Sequence, residues 1–250
     1  MVLSCPDPTQ SVLGEWRGKT LSFYREKNRA VFSSLIGIDL DEVPGEKTII
    51  LSIADAKGDS SQMPVNFTVS KKDFPVQRLT LPSDMVFLSP ENSARAEREK
   101  RAVDRLWDTS AMEKKWKRAF IMPVRGAVLS PFGVRRFINN APRSPHTGID
   151  LRAKAGMPVL ASSDGVVAMT SELFFAGKAV FLDHGTGIIT MYFHLSEVHV
   201  KEGERVSQGQ VIGRVGQTGR ASGPHLHWGV RIQGNRIDPL SLVQLFKENL

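Results

Sequence analysis

The sequence predicts a mainly β chain: two β-rich regions joined by a helical connector. Three observations lead there. Short apolar or alternating runs bounded by Gly, Pro, Asn or Asp recur over residues 16–88 and again from 121 onward. Between them lies one charge-dense stretch, Ala94 to Trp107, with no Gly, Pro or Asn inside it. The chain has 250 residues, more than one typical domain, and 41% of them are apolar, enough for more than one core. The expected layout is a β-sandwich-like accessory domain over 1–88, a helical connector over 89–120 and a second β domain over 121–250.

The elements follow in order. Residues 48–53 (TIILSI) read as a buried strand behind the turn Val43-Pro44-Gly45-Glu46. Residues 65–69 (VNFTV) alternate, with Lys57-Gly58-Asp59 as the turn before them, and 77–81 (QRLTL) follow Pro75. Short strands with frequent turns favour a small sandwich. At Ser89-Pro90-Glu91 the signal changes: Ser suits an N-cap, Pro the first helical position, and Glu the positive helix start. The segment behind it has high helix propensity. Its charge density predicts a solvated connector, with a lid or docking surface as the alternative, and Trp107 and Trp116 anchoring one side. Beyond it, residues 158–161, 165–169, 179–183, 188–194 and 228–232 are strand-like and suit a single curved antiparallel sheet. Residues 139–145 (NNAPRSP) read as a flexible loop forming a wall beside His146.

Six histidines carry the chemistry. In His225-Leu226-His227 an extended strand would turn both imidazoles to one face. His146 and Asp150 lie four apart, yet Pro145, Gly148 and β-branched Ile149 argue for a loop running into a strand. Catalytic zinc takes three protein ligands from His and Asp/Glu and keeps a fourth position for water. The chain holds enough ligands for that and two imidazoles to spare. A lone HxH pair is usually unremarkable; here Gly219, Gly223 and Pro224 steer the chain sharply into it. His184, in Asp183-His184-Gly185-Thr186-Gly187, sits in a hairpin turn, and His199 lies between two valines. Both read as structural or surface residues. Cys5 is the only cysteine, which excludes an intrachain disulfide and a Cys-based zinc site.

The runs Ser130-Pro131-Phe132-Gly133, His146-Thr147-Gly148-Ile149-Asp150, Tyr192-Phe193-His194-Leu195-Ser196, Gly216-Gln217-Thr218-Gly219 and Ser222-Gly223-Pro224-His225-Leu226-His227 follow one another in a specific order. Together they resemble the lysostaphin-type (LytM-like) zinc metallopeptidases, from near residue 121 to Pro239. The resemblance implies an antiparallel β-sheet groove and hydrolysis of peptide bonds in bacterial peptidoglycan. It implies Zn2+ held by His146, Asp150 and His227, with His194 and His225 as the non-ligand histidines of the active site. None of the five positions departs from the pattern. Nothing resembles HExxH, so proton transfer falls to His194 and His225 rather than to a glutamate. The first region is similar to the β-domain preceding the peptidase in some exported members.

Charge and hydropathy bound the remainder. From residue 121 onward there are 14 basic against 9 acidic residues, and 19 against 17 before it. The net +7 is therefore diffuse, suited to an anionic polymer such as cell wall or simply to solubility. No basic helix stands beside exposed aromatics, which argues against nucleic acid. No apolar run approaches the roughly 18 residues of a membrane span, and no signal peptide is recognisable. Leu3-Ser4-Cys5 resembles the end of a lipoprotein signal, and an exported, periplasmic or envelope location is expected. Two other classes compete with the enzyme. Residues 200–213 resemble half of a lipoyl or biotinyl carrier barrel but lack its modifiable lysine between methionines. The fold could also serve a latent or non-catalytic wall-binding protein that activates other hydrolases.

Overall fold

A computed structural model of the chain describes residues 2–4, 9–25, 31–55, 57–80 and 88–248. Cys5 lies outside the described residues. The fold is mostly β, as expected. Among the described residues no helix is long and apolar enough to cross a membrane.

Two apolar clusters explain the second half. A large sheet runs in the order Arg205–Val206, Gly165–Leu173, Gly177–Asp183, Ile188–Val198, His225–Ile232, Gly148–Arg152 and Val128–Ser130, antiparallel throughout. Period-two alternation divides its side chains between two faces. In Gly177–Asp183, Val180 and Leu182 enter the main core, while Ala179 and Phe181 enter a smaller cluster on the other face. In His225–Ile232, Leu226, Trp228 and Val230 are fully buried in the main core. Ile149 and Leu151 join them, and this leaves His225, His227 and Asp150 for the opposite face.

The first half holds an antiparallel sheet in the order Lys19–Ser22, Thr9–Trp16, Gly45–Asp55, Ser60–Val69, and a second of Val2–Ser4, Val31–Ser33 and Tyr24–Arg25. Val12, Trp16, Leu21, Ile49 and Leu51 from the first sheet and Phe32 from the second share one core. The strand expected near 77–81 is Val76–Leu79, and it does not join these sheets. It pairs in parallel with Arg135–Ile138 of the second half.

The helix Pro90–Asp104 begins as its sequence signals require, with Ser89 Oγ accepting from the Asn92 N–H at 3.2 Å. It buries no residue of its own. It docks nonetheless: Glu99 accepts the Phe174 backbone N–H at 2.7 Å, and Arg95 stacks on the Phe174 ring. After the short helix Leu106–Thr109 the connector leaves helical form. Asp183 gathers it there, accepting Ser110 Oγ at 2.6 Å and pairing with Lys115. Trp116 and Phe120 then enter the main core.

Residues 139–145 form more than a loop. Arg135–Ile138 and Ala141–Pro142 pair as a hairpin, with Asn139 and Asn140 at its tip at φ 51° and 62°. Two consecutive left-handed residues define a tight hairpin turn, and Asn adopts that conformation more readily than most residues.

Candidate metal centre

The strand Gly148–Arg152 lies beside His225–Ile232 with Asp150 opposite His227 and Gly148 opposite Gly229. This register places the Asp150 carboxylate and the His227 ring on one face. His146 closes the group from the segment just ahead. Its Nε2 is 3.1 Å from Asp150 Oδ1 and 3.0 Å from His227 Nδ1, and the latter two atoms are 3.0 Å apart. The three residues form a cluster able to hold a metal ion. A tetrahedral zinc with bonds of about 2.0–2.1 Å separates its ligand atoms by roughly 3.3 Å. The donor set and its spacing therefore fit such an ion.

The tautomers support that fit. His146 Nδ1 lies 2.8 Å from the Pro131 carbonyl, which can only accept, so Nδ1 carries the proton and Nε2 is free to bind a cation. Ser130 Oγ stands 3.2 Å from the same nitrogen. Gly148 makes room for His227: a Cβ at this position would lie 2.7 Å from His227 Nε2 and 2.5 Å from the Trp228 carbonyl. Phe193 stacks on the His227 ring with 6° between planes, fixing its tilt.

His194 and His225 stand next to this cluster, their ring centroids 4.8 Å apart. His194 Nδ1 donates to the Thr218 carbonyl at 2.8 Å and His225 Nδ1 to the Gly223 carbonyl at 2.9 Å. Each Nε2 is thereby left with its lone pair, and that of His225 lies 3.7 Å from Asp150 Oδ1. His194 owes its position to a change of partner. The strand Ile188–Val198 pairs with the ligand strand as far as Phe193, then from Leu195 with Val211–Val215. At the handover His194 adopts φ 63°, which costs a non-glycine residue of order 1 kcal/mol or more.

Electrostatics follow from this crowding. Burial alone would push the Asp150 carboxyl up, but His146 and His227 outweigh it and hold it well below the usual carboxylate range. Burial, joined by His227 and His225, lowers His194 to about 4 against the opposing Thr218 carbonyl. Burial likewise lowers His227.

All five histidine and aspartate residues singled out in the sequence thus converge. The two others do not. His184 is buried among Phe120, Thr190 and the Asp164 carbonyl, and His199 is exposed and paired with Glu197. The carbonyls of Pro131, Thr218 and Gly223, which set three ring orientations, are backbone groups and have no residue type to reveal them. Their only signal was membership of the ordered motif runs.

Known proteins similar to this chain point to one family. Residues 144–239 match the model of peptidase family M23. The chain is 36% identical over 140 residues to the peptidoglycan DD-endopeptidase ShyA of Vibrio cholerae, covering 56% of this chain and 30% of that protein. It is 44% identical over 115 residues to the DD-carboxypeptidase/endopeptidase Mpg of Neisseria meningitidis, covering 46% of this chain and 26% of that one. The match thus spans less than a third of either relative's length. A Pseudomonas aeruginosa peptidase M23 crystal structure is 32% identical, aligns over 97% of this chain and 92% of its own, and superposes with a TM-score of 0.76. The likeness therefore runs through both β regions and the connector, and the chain belongs to peptidase family M23.

Proposed function

We propose that this chain is a zinc-dependent endopeptidase that hydrolyses peptide cross-links of bacterial peptidoglycan in the cell envelope or outside the cell. The observation that carries the reading is the convergence of His146 Nε2, Asp150 Oδ1 and His227 Nδ1 beside two imidazoles with free Nε2 atoms. In this reading His146, Asp150 and His227 hold the metal, and His194 and His225 are catalytic. When bound, zinc supplies Lewis-acid polarisation of the scissile carbonyl and acidifies water. The free Nε2 of one of His194 and His225 accepts a proton from the attacking water, and a ring donates a hydrogen bond to the developing oxyanion only once its Nε2 is protonated. Their Nδ1–H bonds to backbone carbonyls fix both rings before substrate arrives, so no reorientation is needed during reaction.

The names of the relatives support peptidoglycan as substrate. The proposal divides the chain into an accessory domain over 1–88, a connector over 89–120 and a metallopeptidase domain over 121–250. Purified sacculi of several chemotypes, incubated with and without a zinc chelator, provide the test, with released fragments identified by mass spectrometry. Chelator-sensitive release at one bond type is expected. A zinc-loaded protein that releases nothing would instead be a wall-binding activator of other hydrolases.

A further inference from the structure

Arg136, Arg143 and Arg220 lie near enough for their charges to repel, around a hollow lined by Ser144, Phe175 and Glu97. Arg136 and Arg143 face each other across the wall hairpin, the Arg143 N–H donating to the Arg136 carbonyl at 2.8 Å. Arg136 extends towards the metal centre, with Nη2 3.5 Å from Ser130 Oγ, the hydroxyl that touches His146. Its Nε is buried and lacks any hydrogen-bond partner. Arg220 arrives from the other wall, two residues after the carbonyl that orients His194, and its guanidinium lies 4.4 Å over the Phe175 ring. Burial, then the charges of Arg136 and Arg143, lower the Arg220 pKa, and no carboxylate counters them. Elsewhere the chain pairs its arginines readily, as in Arg135 with Asp41 at 2.7 Å. Among the described residues Arg136, Arg143 and Arg220 form no ion pair.

We propose that Arg136, Arg143 and Arg220 form a carboxylate-reading subsite, which grips a free acid group of the substrate beside the scissile amide. This rests on the peptidoglycan reading above. Mutual repulsion is unfavourable in the free protein, and an anion set among the three guanidinium groups relieves it. Guanidinium groups match carboxylates in a planar, two-pronged geometry that an amide cannot reproduce. A cross-link through diaminopimelate offers such a group, because the carbon bearing the scissile nitrogen also bears a free carboxylate. Amidation of that carboxylate removes the charge while keeping nearly the same shape.

The test uses the zinc-loaded full chain and a fluorescent stem tetrapeptide with its diaminopimelate carboxylate either free or amidated, binding being read by anisotropy. The tetrapeptide has no cross-link to cut, so binding is read apart from cleavage. The free acid should bind about tenfold more tightly, equivalent to one good charge-assisted contact. Arg143→Gln with Arg220→Gln should erase that preference and leave the amidated probe unaffected. Arg143→Lys with Arg220→Lys should restore part of it. Equal binding of the two probes, absence of binding to either, or a preference that survives in the double glutamine variant overturns the subsite. Cleavage of cross-linked dimers is scored separately. Selective binding without cleavage upholds the subsite and removes the catalytic reading, and cleavage without selectivity does the reverse.

Discussion

Arg236 donates twice to one oxygen of Asp39: its backbone N–H reaches Oδ2 at 2.8 Å and its Nε reaches the same atom at 3.1 Å. A further guanidinium nitrogen, Nη2, meets Asp39 Oδ1 and, at 2.7 Å, Asp41 Oδ2. The two residues are 197 positions apart, so the pair fastens the first half to the strand Asn235–Ile237, which flanks the ligand strand. Both side chains are largely shielded. Replacing Asp39 by Ala leaves the arginine with Asp41 alone, and a loss of about 2 kcal/mol in unfolding free energy is expected. Urea denaturation of the two proteins checks it.

The same pair sets an acid limit. Burial pushes Asp39 up, but the side-chain and backbone hydrogen bonds from Arg236 prevail and hold it at about 2. An unfolded aspartate titrates near 3.9. The contribution is therefore complete above that value and disappears as pH falls through 2, a change of about 2 kcal/mol. In Asp39→Asn the stability lost between pH 5 and pH 2 should be smaller by that amount, measured by denaturant melts across the range.

His184 acts in a higher window with a different cause. Burial lowers it to about 4, so the folded protein holds it neutral where an unfolded histidine, near 6.5, would already be charged. Stability should fall as pH drops from 6.5 to 4 and then level off, by about 3 kcal/mol in all. His184→Leu should start less stable, having lost the bond to the Asp164 carbonyl, but should show a flatter profile over that interval. Thermal melts at pH 7, 5.5 and 4 separate the two effects.

Substitutions at the centre should divide into two groups. His146→Ala, Asp150→Ala and His227→Ala should abolish zinc binding and activity together. His194→Ala and His225→Ala should retain one zinc per chain and lose about 10²–10⁴-fold in rate, the usual range for general acid–base groups. Metal content by mass spectrometry beside sacculus digestion makes the comparison; stoichiometric zinc in His227→Ala would sink the ligand assignment.

Gly148→Ala adds one methyl group where the His227 ring and the Trp228 carbonyl already stand. The ring must tilt or the strands part. Zinc affinity should drop about 10–100-fold, as when an outer-shell support is removed, while the fold persists. Competition with a chromogenic chelator measures this directly.

Much of the site could be read before any coordinates. Strand alternation is a local rule, so the shared face of His225 and His227 followed from two residues and one spacing. The helix start at Ser89-Pro90 was equally local. What escaped depended on partners distant in sequence. Glu99 and Arg95 look like any solvated helix surface until the Phe174 segment is set against them. The change of partner at His194 arises from two strands competing for one, which no residue type records. Asn139-Asn140 was a missed opportunity, because two consecutive residues tolerant of positive φ point to a hairpin rather than a slack loop.

The parallel pairing of Val76–Leu79 with Arg135–Ile138 has a practical consequence for protein production. A fragment starting at residue 121 would keep every metal-binding side chain yet leave the Arg135–Ile138 strand with an open hydrogen-bonding edge. Bare edges recruit other chains. Such a fragment should self-associate or show a looser wall ahead of His146, and adding a peptide spanning residues 74–80 in trans should restore monodispersity. The first half supplies the strand that completes the hairpin ahead of His146, so a piece cut away from it is an incomplete solid.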